Sequence, residues 1–281
     1  MLRLRVLTAI ALLAVLIPAV FYPDPLAFAC VAGILMTCGT WEWLRLNGAQ
    51  PQAAVGGALL CALVCAGLWS VEVQPFEMQA IWLSASLAWL LGGGYLIRNG
   101  VQTWSSWSPR FRQVVGFLLL CVAWLAVVAA RKQGINFLFS VMALVWMADI
   151  AAYFAGRKFG GRLFAKKLAP EISPGKTREG ALGGLLGVSV LALIWWFADS
   201  AMAADSPSIY TILASRYGVW MLLAALLLGV MSIVGDLLES LIKRAAGVKD
   251  SSQLLPGHGG VLDRVDALLP VLPIAMLLQS L

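Results

Sequence analysis

Charge is scarce in this sequence. Only 12% of its 281 residues are Asp, Glu, Lys or Arg, whereas soluble domains run near a quarter. Hydrophobic residues make up 61%, and the mean hydropathy is +0.87. A water-soluble globular fold is excluded, which leaves a polytopic membrane protein. Histidine is scarcer still: His258 is the only one, so a zinc centre of the usual Cys and His ligands is excluded. The five cysteines, at 30, 38, 61, 65 and 121, all fall inside apolar runs, where neither disulfide pairing nor soft-metal clustering is expected. Cys61 and Cys65, one helical turn apart, read as small packing residues. Internal repeats, low-complexity tracts and nucleic-acid-binding motifs are also missing. The net charge of +6 and pI near 9.2 therefore point to anionic lipid head groups, with phosphate ligands second, and not to nucleic acid.

What is present is a succession of apolar runs of about 20 residues, the length that crosses a bilayer. They lie near 6–22, 25–44, 54–71, 78–97, 114–130, 135–156, 180–198, 217–237 and 262–280. The chain is predicted to be all-α, with about nine transmembrane helices in one membrane domain spanning 1–281. The first run follows Arg3 and Arg5 as a signal peptide would, but no small-residue cleavage site follows, and FYPDP leads into the next run. It is expected to be a retained helix forming a hairpin with the second.

If the N-terminus is cytoplasmic and the spans alternate, 17 of the 20 basic residues fall on the cytoplasmic side. The opposite side keeps Arg131, Lys132 and Arg216, together with Asp24, Glu72, Glu77, Asp199 and Asp205. The positive-inside rule then predicts a cytoplasmic N-terminus. Loops 157–179 and 238–261 share that face, and the expected location is the inner membrane with a site open to the cytoplasm. Residues 1–130 read as anchoring scaffold, with Trp41, Trp43, Trp104 and Trp107 near span ends as in interfacial belts. Residues 131–281 carry the intramembrane and juxtamembrane charges, and hence the chemistry.

In GDLLESLIKR, Asp236, Glu239, Ser240, Lys243 and Arg244 lie along one helical stripe. An ion-pair ladder at a helix end accounts for Glu239 with Lys243. It does not account for Asp236, a carboxylate in apolar surroundings that needs a partner or a metal. The stripe is suited to a divalent cation at Asp236 and a phosphate at Lys243 and Arg244, with Ser240 donating a hydrogen bond. Downstream, LPGHGGVLDRVD offers a tight loop in which the backbone at Gly259 and Gly260 can approach a phosphate. For His258, acid/base chemistry and a loop role against phosphate or as a helix cap stay open. Asp263 and Asp266, three residues apart, share a face and would repel unless a cation holds them. Oxygen-only ligation favours Mg²⁺. A third constellation joins Asp149 and Tyr153 to the basic loop with Ser173, Lys176, Thr177 and Arg178. ISPGKT lacks the spacing of a phosphate-binding P-loop, so an NTPase fold is excluded while phosphate binding by Lys176 and Arg178 is retained.

Ser240-Leu-Ile-Lys243-Arg244, then Lys249-Asp250, then Leu255-Pro256-Gly257-His258-Gly259-Gly260-Val261-Leu262-Asp263-Arg264-Val265-Asp266 resembles the signature of the phosphatidate cytidylyltransferases, or CDP-diglyceride synthases. The upstream ISPGKTREG and DIAAY segments resemble the same family, while the first half does so only as apolar spans. The resemblance implies a Mg²⁺-dependent reaction of CTP with phosphatidate that gives CDP-diacylglycerol and pyrophosphate. It also implies a homodimer and a paired-cation centre whose second ion is a candidate K⁺. Carried over by motif, Asp236, Asp263 and Asp266 are metal-centre carboxylates, and Ser240, Lys243 and Arg264 face phosphate or complete that centre. Asp149, Ser173, Lys176 and Lys249 are secondary candidates. Competing expectations are a CTP-dependent membrane lipid-alcohol kinase and a secondary transporter using Asp149 and Asp236 as ion sites. A CDP-alcohol phosphotransferase is disfavoured because its DG-x2-AR and D-x3-D pattern is absent.

Overall fold

The structure is a computed structural model that describes residues 2–71, 74–199, 201 and 204–281; Glu72, counted above among the far-side acids, lies outside the described residues. The elements are α1 (Leu2–Phe21), α2 (Pro25–Leu46), α3 (Pro51–Ser70), α4 (Pro75–Leu87), α5 (Gly94–Ser106), α6 (Pro109–Gln133), α7 (Ile135–Phe159), α8 (Arg178–Asp199), α9 (Ile209–Tyr217), α10 (Met221–Ala245), α11 (Leu262–Val265) and α12 (Leu268–Ser280). A π-helical stretch, Ala88–Gly93, joins α4 to α5. Among the described residues the only β pairing is two isolated bridges, Ala169 with Ser173 and Leu255 with Gly259.

The boundaries follow from local chemistry. Asp24 accepts from the Leu26 amide at 2.9 Å and Ser108 from the Phe111 amide at 3.3 Å. In both cases a proline follows at the first helical position, where its missing N–H costs nothing. Among the described residues, eight helical stretches are long and apolar enough to cross a membrane. The last apolar run is divided by the backbone around Asp266 and Ala267, which leaves α12 with 13 residues.

Hydrophobicity does not press helices together inside lipid, so packing relies on close approach of small residues. The α7–α8 pair shows this. A methyl group added at Gly184 would stand 2.8 Å from the Ala148 carbonyl, and one at Gly180 would stand 3.0 Å from that of Ala152. Larger residues there would force α8 away from α7 and from the loop between them.

Trp43 and Trp104 do not form a lipid-facing belt, contrary to the sequence expectation. They are buried because each indole N–H has an internal acceptor, the Arg112 carbonyl at 2.9 Å and Asn47 Oδ1 at 3.1 Å. Cys61, Cys65 and Cys121 are buried free thiols, with Cys61 and Cys121 sulfurs 3.9 Å apart.

At one end of the bundle, Asp205 accepts from the amides of Ile135 and Asn136 at 2.5 and 2.9 Å. Asp199 takes the Ser208 amide at 2.9 Å and the Thr211 hydroxyl at 2.5 Å. Partial burial pushes the Asp205 carboxyl up, but the two amides more than offset this and hold it below its ordinary value. The loops carrying the predicted site residues lie at the other end of α7, about 36 Å away at 1.5 Å per residue over its 25 residues.

Candidate active site

α10, α11 and the loop between them build the site around Lys243. Its ammonium pairs with Glu239 one turn earlier and with Asp263 at 2.5 Å. The ion-pair ladder expected from spacing is therefore present, and it extends to the signature carboxylate. Asp263 also accepts from the Ser251 amide and hydroxyl, both at 2.9 Å, and from the Gly260 amide at 2.8 Å. Gly260 thus turns its amide to Asp263, where the sequence suggested a phosphate. At Gly259 the backbone φ is +85°, and an added methyl would lie 2.7 Å from Asp263 Oδ2, so glycine is required there.

Asp149, Asp236, Glu239, Ser240, Lys243, Arg244, Lys249, Asp250, Asp263, Arg264 and Asp266 line one polar cavity of about 340 Å³. Three helices (α7, α10 and α11), the loop after α10 and the turn at Asp266 converge there, which sequence spacing alone could not show. Asp236 forms an ion pair with Lys176 at 2.5 Å, which brings the 157–179 loop onto α10. Arg244 donates to the Ile172 carbonyl of that loop at 3.4 Å. Asp266 Oδ1 accepts from the Ala267 amide at 2.8 Å. Among the described residues, no three His, Cys, Asp or Glu side chains lie close enough to hold a metal as they stand.

Other predicted residues stand farther out. Ser173 lies in the turn that bridges back to Ala169, and its carbonyl accepts from the Lys176 amide at 3.2 Å. Arg178 opens α8 and is exposed, outside the cavity lining. The His258 carbonyl accepts from Arg264 at 2.7 Å, while its Nδ1 is buried with no hydrogen-bond partner.

The residue that sequence reasoning missed is Glu42, on α2 in the half read as scaffold. It is fully buried and receives four hydrogen bonds from the signature segment. The hydroxyl of Ser251, its one proton shared with Asp263, donates at 3.1 Å, that of Ser252 at 2.5 Å, and the amides of Val261 and Leu262 at 2.9 and 2.8 Å. Its oxygens also leave no room for a side chain at Gly260. The first helix helps as well: Arg5 donates to the Gly257 carbonyl at 2.8 Å and Thr8 to that of Pro256 at 2.9 Å. A signal was available, since Glu42 is a carboxylate inside an apolar run, the criterion that singled out Asp149 and Asp236.

Three further cavities meet the polar one. A cavity of about 470 Å³ shares Asp149 and Asp236 and is also lined by Tyr153, Arg157 and Lys176. One of about 720 Å³, between the end of α2 and residues 246–254, shares Lys249 and Asp250. Trp41 and Arg45, the guanidinium 4.7 Å from the ring centre, also line it. An apolar cavity of about 420 Å³ shares Glu239.

The cytidylyltransferase family model matches residues 3–281 of the chain. The chain belongs to the cytidylyltransferase family. Similar proteins carry the name phosphatidate cytidylyltransferase. One from Pseudomonas aeruginosa is 37% identical over 277 residues, covering 98% of this chain and 95% of that protein. One from Haemophilus influenzae is 36% identical over 293 residues, covering 97% and 96%. A third, from Staphylococcus aureus, is 31% identical over 294 residues, covering 99% and 100%. The match to this cytidylyltransferase spans both halves, in keeping with a site held from both.

Proposed function

We propose that this cytidylyltransferase transfers CMP from CTP to phosphatidate, forming CDP-diacylglycerol and pyrophosphate. The observation that carries the reading is the convergence of Lys243, Arg244, Lys249 and Arg264 with Asp149, Asp236, Asp263 and Asp266 on one cavity. Two polyanions must be brought together, and such a set offsets their repulsion and orients them. A phosphatidate phosphate oxygen attacks the α-phosphorus of CTP; the bond to the bridging β-phosphate oxygen breaks and pyrophosphate departs. The attacking oxygen is already ionised, so no strong general base is needed, and His258 is spared that role.

The donor chemistry suits Mg²⁺: Asp149, Asp236 and Asp266 offer only oxygen, and the Lys176 ammonium already stands against Asp236. Asp149, Asp236 and Asp266 would hold the ion, whose positive charge would offset the repulsion of the two polyanions. Asp263, satisfied by the chain itself, holds Lys243 and the glycine loop in position. A second cation, K⁺ in our reading, and a homodimer belong to the same proposal.

In this reading the Trp41, Arg45 and Lys249 cavity admits the nucleotide from the cytoplasm. The positive-inside distribution supports a multi-pass protein of the inner membrane with the site on the cytoplasmic face. The test is phosphatidate-dependent pyrophosphate release from CTP by purified protein, with Mg²⁺ and with chelator, beside Asp263→Asn and Asp266→Asn. We expect release that needs both lipid and metal and is lost in both variants. Release without phosphatidate, or CDP in place of pyrophosphate as product, would sink the proposal, the latter in favour of a lipid kinase.

A further inference from the structure

On the face of α10 next to the cation cluster lies the apolar cavity of about 420 Å³, a size typical of ligand sites. Its mouth is formed by side chains on the outer surface of the helices, Leu91 at 69% exposure and Phe111 at 50%, where the bilayer would lie. Its inner end is formed by Trp43, Trp104 and Leu262, all buried. A solvent-filled cleft would be lined differently.

Two residues with polar side-chain groups, Trp89 and Glu239, interrupt the apolar lining. Trp89, 6% exposed, has an indole N–H without a partner, and Glu239, 7% exposed, has Oε1 without one. Buried tryptophan N–H groups ordinarily find an acceptor, and unpaired buried polar groups are costly. Glu239 also lines the polar cavity, where it pairs with Lys243. The sequence of surfaces, from a lipid-facing mouth through an apolar body and a lone N–H donor to a cation cluster, matches the order of groups in a diacyl phospholipid.

We propose that this cavity between the α4–α5 segment, α6 and α10 holds one acyl chain of the phosphatidate substrate. The ester carbonyl lies against the Trp89 N–H and the glycerol end at Glu239. This rests on the activity proposed above. Gly92 makes it testable, because a side chain added there meets nothing within 4 Å and would grow into open space.

The measurement is kcat/KM for a dioleoyl and a dihexanoyl phosphatidate in wild type, Gly92→Leu and Trp89→Phe. We expect the long-to-short preference to fall about tenfold in Gly92→Leu and severalfold in Trp89→Phe. A change that merely loosens the fold lowers both substrates together and leaves the ratio alone, so an unchanged ratio in Gly92→Leu overturns the inference.

A second experiment needs no variant. Phosphatidate with a photoreactive group in mid-chain is cross-linked to wild-type protein, and the adducts are mapped. We expect them on residues 87–119, displaced by excess unlabelled phosphatidate but not by phosphatidylcholine. Adducts elsewhere overturn the inference, as does equal displacement by phosphatidylcholine, which marks a boundary-lipid groove, or protection only on self-association, which marks a subunit contact. If wild type releases no phosphatidate-dependent pyrophosphate, the activity reading fails, and the cross-linking map then decides the acyl site separately.

Discussion

The carboxylates of the site live in two different environments. On one side, Glu42 and Asp263 are satisfied by donors of the chain itself, four for Glu42 and the Lys243, Ser251 and Gly260 groups for Asp263. On the other side, Asp149 is exposed and Asp236 has its ion pair with Lys176; with Asp266, both open on the polar cavity. The difference separates jobs that the sequence leaves merged. A carboxylate with saturated oxygens organises backbone, whereas one whose oxygens face a cavity is available to a ligand. Mutation should therefore divide the acids into those whose loss damages folding and catalysis together and those whose loss damages catalysis alone.

The largest effect is expected at Asp263. Asp263→Ala leaves Lys243 with only Glu239 and strips acceptors from two amides. Breaking such a buried pair costs about 3–5 kcal/mol, so both thermal stability and pyrophosphate release should collapse. A normal melting temperature in this variant would erase the distinction between the two sides.

Next comes Glu42→Gln, which keeps the shape, removes the charge and turns one acceptor into a donor facing donors. Activity should fall about 10- to 100-fold, as for other residues that support a site without touching the reaction, and cleavage by protease in 250–260 should speed up. Activity unchanged within about twofold would mean that the N-terminal half does no more than anchor.

Asp236→Asn tests the open side. We expect activity to fall about 10²-fold or more while the melting temperature moves little, because the protein partner lost among the described residues is the partly exposed Lys176 ion pair. A stability loss as large as that of Asp263→Ala would contradict the comparison.

The smallest effect is expected at Asp205, at the opposite end of the bundle. Asp205→Ala should cost about 1–2 kcal/mol by freeing two amides at the start of α7, with the kcat of the remaining folded protein unchanged. Because folding lowers the Asp205 pKa, its contribution is fully present above the unfolded value of about 3.9 and fades as pH drops through the folded one. Denaturation of wild type and variant should converge on acidification; convergence on raising the pH would contradict the assignment.

Much of the fold was legible because apolar length is a one-dimensional property: the predicted runs fall on helical segments, although the run at 78–97 is interrupted by a π-helical stretch and the last is divided between α11 and α12. The signature stripe was legible because residues three, four and seven apart meet on a helix by geometry alone. Glu42 escaped because its partners lie more than 200 residues away, and no period links them. The tryptophans were misread because an indole near a span end looks the same whether its N–H meets a head group or the Arg112 carbonyl.

The sequence by itself determined that this is a helical membrane protein and singled out residues 236–266 as its candidate site. The reason is that hydropathy and local spacing need no knowledge of neighbours. Only the tertiary structure decided which acids are occupied and which are open. Whether a carboxylate is spent on structure depends on which amides, hydroxyls and ammonium groups the packed helices bring within about 3 Å of it.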